Sequence, residues 1–127
     1  MSRSNRLKIL SNARNGKSHK SARYTIRNER QLQSRVMAWA KAQPDVFIVN
    51  IHGNPYQMRG IPDVTGCVGQ ISFFCELKSG TNKMSYAQQA VAHKILKSGG
   101  NFVCVNNFKD FVDFINELRL KNKNLTA

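Results

Sequence analysis

The sequence predicts an α/β fold, one domain in the order αβββαβα whose mixed sheet is flanked by helices. Three observations carry this expectation. The 127 residues suffice for one hydrophobic core and not for two. Three stretches place apolar residues at helical spacing, and short β-branched or apolar runs bounded by Gly and Pro lie between them. Strands and helices interleaved in this way pack as a sheet covered by helices.

The first helix is expected from Glu29 to about Gln43, where Leu32, Val36, Met37, Trp39 and Ala40 fall at helical spacing. Pro44 ends it, because the residue before a proline avoids the helical region. Val46 to Ile51 is a β-branched-rich apolar run, expected to be a buried strand. His52 to Pro62 holds two glycines and two prolines and must be a loop. Asp63–Val68 and Ile71–Lys78 then read as a hairpin around Gly69-Gln70, a two-residue loop that fits a type II′ turn. Ser85-Tyr86-Ala87-Gln88 has the S-x-x-Q form of a capping box and opens the second helix. Ala87, Ala90, Val91, Ile95 and Leu96 give that helix an apolar face, and Gly99-Gly100 supply its stop. Asn101–Val105 is a fourth strand, and Phe108, Phe111, Val112, Ile115 and Leu118 mark a last amphipathic helix.

Charge narrows the function. Twenty Lys and Arg against seven Asp and Glu leave +13 and a pI of about 10.3. Such a field attracts polyanions, nucleic acid foremost, although a ribosomal or merely sticky basic protein has the same balance. The excess is uneven: residues 1–30 hold nine cations and one acid, and the remaining 97 hold eleven and six. Residues 1–28 read as a basic arm, flexible alone, whose Arg14, Lys17, Lys20, Arg23 and Arg27 would grip a phosphate backbone. A solvated tail that only aids solubility is the other reading. Cys67, Cys75 and Cys104 are odd in number and lack C-x-x-C spacing, so buried free thiols in a reducing cytosol are expected. No apolar run reaches the roughly 18 residues that a membrane span needs, and the N-terminus lacks the apolar stretch of a secretory signal.

The hairpin makes a geometric prediction. Counting outward from the turn, Val68 faces Ile71 and, five steps on, Asp63 faces Glu76. Residues directly opposite have Cβ atoms about 4.5–5.5 Å apart, and two carboxylates there repel unless a cation lies between them. Oxygen donors that converge in this way suit Mg²⁺ or Mn²⁺. Lys78 shares the strand face of Glu76, while Phe73, Cys75 and Leu77 point into the core. Paired carboxylates with a metal and an adjacent ammonium suit phosphodiester hydrolysis. Taken singly, Asp63 could be a turn residue and Glu76-x-Lys78 a solvated edge pair. Only six acids occur in the last 97 residues, however, and two of them fall at matching hairpin positions.

Gly60-Ile61-Pro62-Asp63-Val64, Glu76-Leu77-Lys78, Ser85-x-x-Gln88 and Leu96-Lys97-Ser98-Gly99-Gly100, in that order, resemble the VRR-NUC (virus-type replication–repair nuclease) family of the PD-(D/E)XK superfamily. The likeness spans roughly Glu29 to Val105. It implies a restriction-endonuclease-like nuclease domain over residues 29–127, with Mg²⁺ (Mn²⁺ substituting) held by Asp63, Glu76 and the backbone carbonyl of Leu77. Lys78 matches the catalytic lysine. Glu29 matches an acid of the first helix that can complete the metal site, against a plain helix-start acid favoured by the macrodipole. Gln88 matches a glutamine near the site, against a purely capping role. His52 and Arg59 on the loop, together with Lys83, are further candidates for contact with DNA. His52-Gly53-Asn54 superficially resembles an HNH nuclease, but no second histidine or zinc frame accompanies it.

The resemblance further implies a homodimeric Holliday-junction resolvase, a Mg²⁺-dependent endonuclease of branched DNA in repair or recombination. It would work in the cytoplasm of a bacterial or phage-infected cell. Two sites related by a twofold axis can reach both strands of a symmetric junction. Two other readings stay open at this point: a monomeric flap or nicking nuclease, and a non-catalytic DNA-binding module. A basic RNA-binding protein is more distant, because the chain lacks an aromatic-rich β-surface.

Overall fold

The computed structural model describes residues 22–53 and 57–126. Among these, seven elements follow in the expected order: α1 (Ala22–Lys41), β1 (Val46–Asn50), β2 (Val64–Val68), β3 (Ile71–Leu77), α2 (Tyr86–Lys97), β4 (Phe102–Val105) and α3 (Phe108–Thr126). The strands form one sheet in the order β1-β2-β3-β4. β1, β2 and β3 are antiparallel, and β4 joins β3 in parallel. A parallel pair needs a crossover, which α2 supplies.

The hairpin has the expected register, with Val68 opposite Ile71 and no slip out to Val64 opposite Cys75. Gly69 has φ +58°, and no residue other than glycine has a positive φ among those described. A positive φ at the first central residue alone is the type II′ signature. The turn is also tied down, because Gln70 N–H donates to Asn122 Oδ1 at 2.9 Å.

Strand alternation divides the interior in two. Ile48, Val64, Val68, Phe73, Cys75, Leu77 and Val105 point to one side of the sheet, where α1 and α3 cover them with Val36, Met37, Ala40, Phe111, Phe114, Ile115 and Leu118. Aromatic rings meet edge-on there, Phe73 with Phe114 at 5.8 Å and Trp39 with Phe111 at 6.0 Å. On the other side α2 covers only one end of the sheet, packing Ala92 and Leu96 with Met84, Phe74 and Phe102.

Five expectations are revised. α1 starts at Ala22, not at Glu29, which places Arg23 and Arg27 on the helix. β1 is an edge strand, not a buried one, with Phe47 61% and Val49 39% exposed. Its composition signalled burial, but only Ile48 and its face meet the core, since α2 does not reach the opposite face. In α2, Ala90 is exposed and Ala92 is buried, while in α3 Phe114 takes the core position expected of Val112. Cys67 and Cys104 are half-buried, and only Cys75 is fully enclosed. No helix among the described residues is long and apolar enough to cross a membrane.

Candidate active site

The polar residues singled out in the sequence gather at one end of the sheet, where β3 finishes and α2 begins. Glu76 faces the α2 side and is only 2% exposed. Gln88 Nε2 donates to its Oε1 at 3.1 Å, and Lys78 Nζ lies 4.0 Å from the same oxygen. Asp63 stands just before β2. Its Oδ2 accepts from Leu77 N–H at 2.8 Å, and its carbonyl accepts from Ile51 N–H at 2.8 Å. The β2–β3 pairing ends at Val64 opposite Cys75, which leaves Asp63 and Glu76 as the next positions out, and their side chains are hydrogen-bonded.

Burial pushes the Glu76 carboxyl up to about 9, and the hydrogen bond and charge of Asp63 push the same way. Lys78 opposes the rise, and the charge of Glu29 adds to it. Burial beside the Asp63 carboxylate thus favours the neutral form of Glu76. A solvated edge pair with Lys78 is excluded by this burial. The donor set fits a hard divalent cation: two neighbouring carboxyl groups, one of them buried, supply the oxygen ligands such an ion prefers.

Gln88 does both of the things considered for it. Its Oε1 accepts from Ser85 N–H at 2.9 Å while Ser85 Oγ accepts from Gln88 N–H at 3.1 Å, closing the capping box. With Oε1 occupied by the cap, the amide nitrogen is the end that faces Glu76. The loop carrying Asp63 is set against the same helix turn by Gly60. Its φ is +85°, and a Cβ there would lie 2.3 Å from the carbonyl oxygen of Ala87. Glycine is thus required for this close approach, which places the Pro62-Asp63 segment beside Gln88.

Glu29 is less central. Its Oε1 accepts from Asn82 Nδ2 at 2.8 Å. Among the described residues, no three His, Cys, Asp or Glu side chains converge to form a metal cluster. The close pair is therefore Asp63 and Glu76, and Glu29 stands near enough for its charge to reach Glu76. The sequence reading missed Asn82 altogether. A lone Asn between a strand and a helix reads as loop chemistry, and only its 6% exposure marks it. Cys104, expected as a buried free thiol, is half-buried and lies opposite Glu76 on β4. Burial first, then the Glu76 charge, pushes that thiol up to about 12, so it stays protonated and is no nucleophile.

The proposed DNA contacts are scattered. His52 and Arg59 are exposed on the loop between β1 and β2, and Lys83 is half-buried just before α2. Arg23 and Arg27 lie on α1. Arg14, Lys17 and Lys20 lie outside the described residues.

One solved structure, a VRR_NUC domain, is similar to this chain at a TM-score of 0.60 and 20% identity, covering 70% of this chain and 95% of that one. The chain therefore has the mixed-sheet α/β architecture of that domain, and the resemblance read from its motifs holds at the level of the fold. No family sequence model matches the chain, and no curated protein does.

Proposed function

We propose that the chain is a divalent-metal-dependent DNA endonuclease of the PD-(D/E)XK type, cutting branched DNA as a homodimeric Holliday-junction resolvase. The observation that carries the nuclease reading is the buried Glu76 carboxyl beside Asp63, with Lys78 Nζ 4.0 Å from its Oε1. A protein that only bound DNA would gain nothing from burying one carboxyl group beside another at a cost to stability. The VRR_NUC fold and the net charge of +13 support the same assignment. The junction preference and the dimer rest on the family resemblance alone.

Asp63, Glu76 and the Leu77 carbonyl would hold Mg²⁺ or Mn²⁺, which when bound supplies acidified water and positive charge against the phosphoryl oxygens. The chain's own residues do the rest. Leu77 N–H fixes the Asp63 carboxylate, and Gln88 fixes the Glu76 carboxyl. The Lys78 ammonium, half-buried on the same face, positions the attacking water and balances charge gathering on the scissile phosphate. His52, Arg59, Lys83 and the cations of residues 14–27 are assigned to the DNA backbone, so binding should weaken steeply with salt.

The test is cleavage of a labelled four-way junction beside a matched linear duplex, with Mg²⁺ or EDTA, for the wild type and Glu76→Gln. Paired symmetric cuts in the junction alone, lost in EDTA and in the variant, are expected. Sedimentation should give a dimer. Metal-dependent cutting of flaps or linear duplex by a monomer would keep the site and discard the junction. Tight binding with no cleavage of any DNA would leave only a binding module.

A further inference from the structure

The outer side of α2 carries side chains that the fold does not use. Tyr86, Ala90, His93 and Lys97 recur at i, i+4, i+7 and i+11, and all are exposed, with Lys94 exposed beside them. This spacing puts them on one face of the helix, opposite the buried Ala92 and Leu96 that pack on the sheet. The charge of that face is one-sided. Between Glu76 and Asp110 the chain holds five lysines and no acid. Among the described residues neither Lys94 nor Lys97 has an ion-pair partner. Such a face complements the phosphates of DNA.

Tyr86 adds a flat ring to this charge. At 89% it is the most exposed of the large apolar side chains described, and it forgoes the burial that an aromatic residue usually contributes. Its mount is rigid, because Ser85 and Gln88 close the capping box around it and the preceding Met84 is buried in the α2 core. Two residues turn a helix by about 200°. With Gln88 facing Glu76, Tyr86 therefore projects from the other side of the same turn. A helix is roughly 10 Å across, so the ring stands about three base steps from the carboxyl groups.

An aromatic ring stacks on any base whose flat face is open, whatever the sequence. Inside a linear duplex each base face is covered by the next pair. At a branch point the stack is interrupted and a face is offered. We propose that Tyr86 is a specificity-determining residue that stacks on the base face exposed at a DNA branch point, while Lys94 and Lys97 hold the phosphates of the adjoining arm. This rests on the branched-DNA reading above and supplies its preference from residues of this chain outside the candidate active site.

The experiment is binding of the full chain, in EDTA so that nothing is cut, to a four-way junction and a matched linear duplex over a series of salt concentrations. Tyr86→Ala should weaken junction binding by about tenfold and leave linear duplex unchanged. Tyr86→Phe keeps the ring and should bind as the wild type does. Lys94→Gln combined with Lys97→Gln should weaken both DNAs and lower the salt slope of the affinity by about two. Equal losses on both DNAs, no loss on either, or a Tyr86→Phe as weak as Tyr86→Ala overturns the stacking role. An unchanged salt slope in the lysine variant overturns the arm contact. Junction and linear duplex bound alike by the wild type overturn the proposal together with the junction preference. Absence of metal-dependent cleavage of any DNA, with Tyr86→Ala still losing the junction, overturns instead the nuclease reading and leaves Tyr86 in its role. The substituted side chains are exposed, so the core and the cap stay intact in every variant.

Discussion

The two faces of β3 are made from neighbouring residues under opposite rules. Phe73, Cys75 and Leu77 point toward α1 and α3, where each meets apolar side chains and is at most 2% exposed. Phe74, Glu76 and Lys78 point toward α2, and there the apolar packing gives out after Phe74. Glu76 is as buried as its core neighbours, yet its surroundings are a carboxyl, an ammonium and an amide. Burial on the first face is favourable at every step, roughly 25 cal/mol for each Å² removed from water. On the second it is costly, because a carboxyl taken from water must find partners or keep its proton. A cost borne at one residue while its neighbours on the same strand pack well marks Glu76 as the centre of the candidate site.

Breaking the first face should have the largest effect on stability. Phe73→Ala removes the ring that meets Phe111 and Phe114 and should cost about 3–5 kcal/mol in urea unfolding. Cleavage per folded molecule should hardly change. A loss below about 1 kcal/mol would mean that β3 is not the centre of this core.

Changing the second face should move stability the other way. The folded-state pKa of Glu76, about 9, lies above its ordinary value of 4.5. The folded chain thus keeps a proton that the unfolded chain releases. This contribution to stability is complete below about pH 4.5 and is lost as the pH rises toward 9. Melting temperatures of the metal-free wild type should fall across that window. Glu76→Gln should flatten the slope and melt higher at pH 8, while its cleavage drops by about 10²-fold or more. An unchanged pH slope in the variant would remove Glu76 as the source of the strain.

The smallest effects should come from the cap that links the two faces' supports. Ser85→Ala should cost about 1 kcal/mol by loss of the cap and leave cleavage near wild type. Gln88→Ala should cost a similar stability and also lower cleavage by about tenfold, because its amide reaches Glu76. Equal cleavage in the two variants would reduce Gln88 to a capping residue.

How much of this was legible beforehand depends on the range of the interactions involved. The hairpin register follows from local rules alone, a Gly-first turn and a period of two, so the meeting of Asp63 with Glu76 could be counted from the sequence. The capping box is equally local, a matter of Ser85 and Gln88 three residues apart. The exposure of Phe47 and Val49 was not legible, because composition registers apolar character and not whether a helix covers that face of the sheet.

The sequence by itself determined the order of the elements, the two carboxyl groups and lysine on one hairpin, and the basic balance that calls for a polyanion. Tertiary structure alone decided what depends on contacts between distant segments. It set the depth at which Glu76 is buried, the closeness of Gly60 to the first turn of α2, and the turning of the Gln88 amide toward Glu76 once its oxygen is taken by the cap. It also decided the grip of Asn82 on Glu29 across 53 residues. The physical reason is one of range: propensity, alternation and capping act over a few residues, whereas desolvation and charge coupling are set by whichever segments the packed core brings side by side.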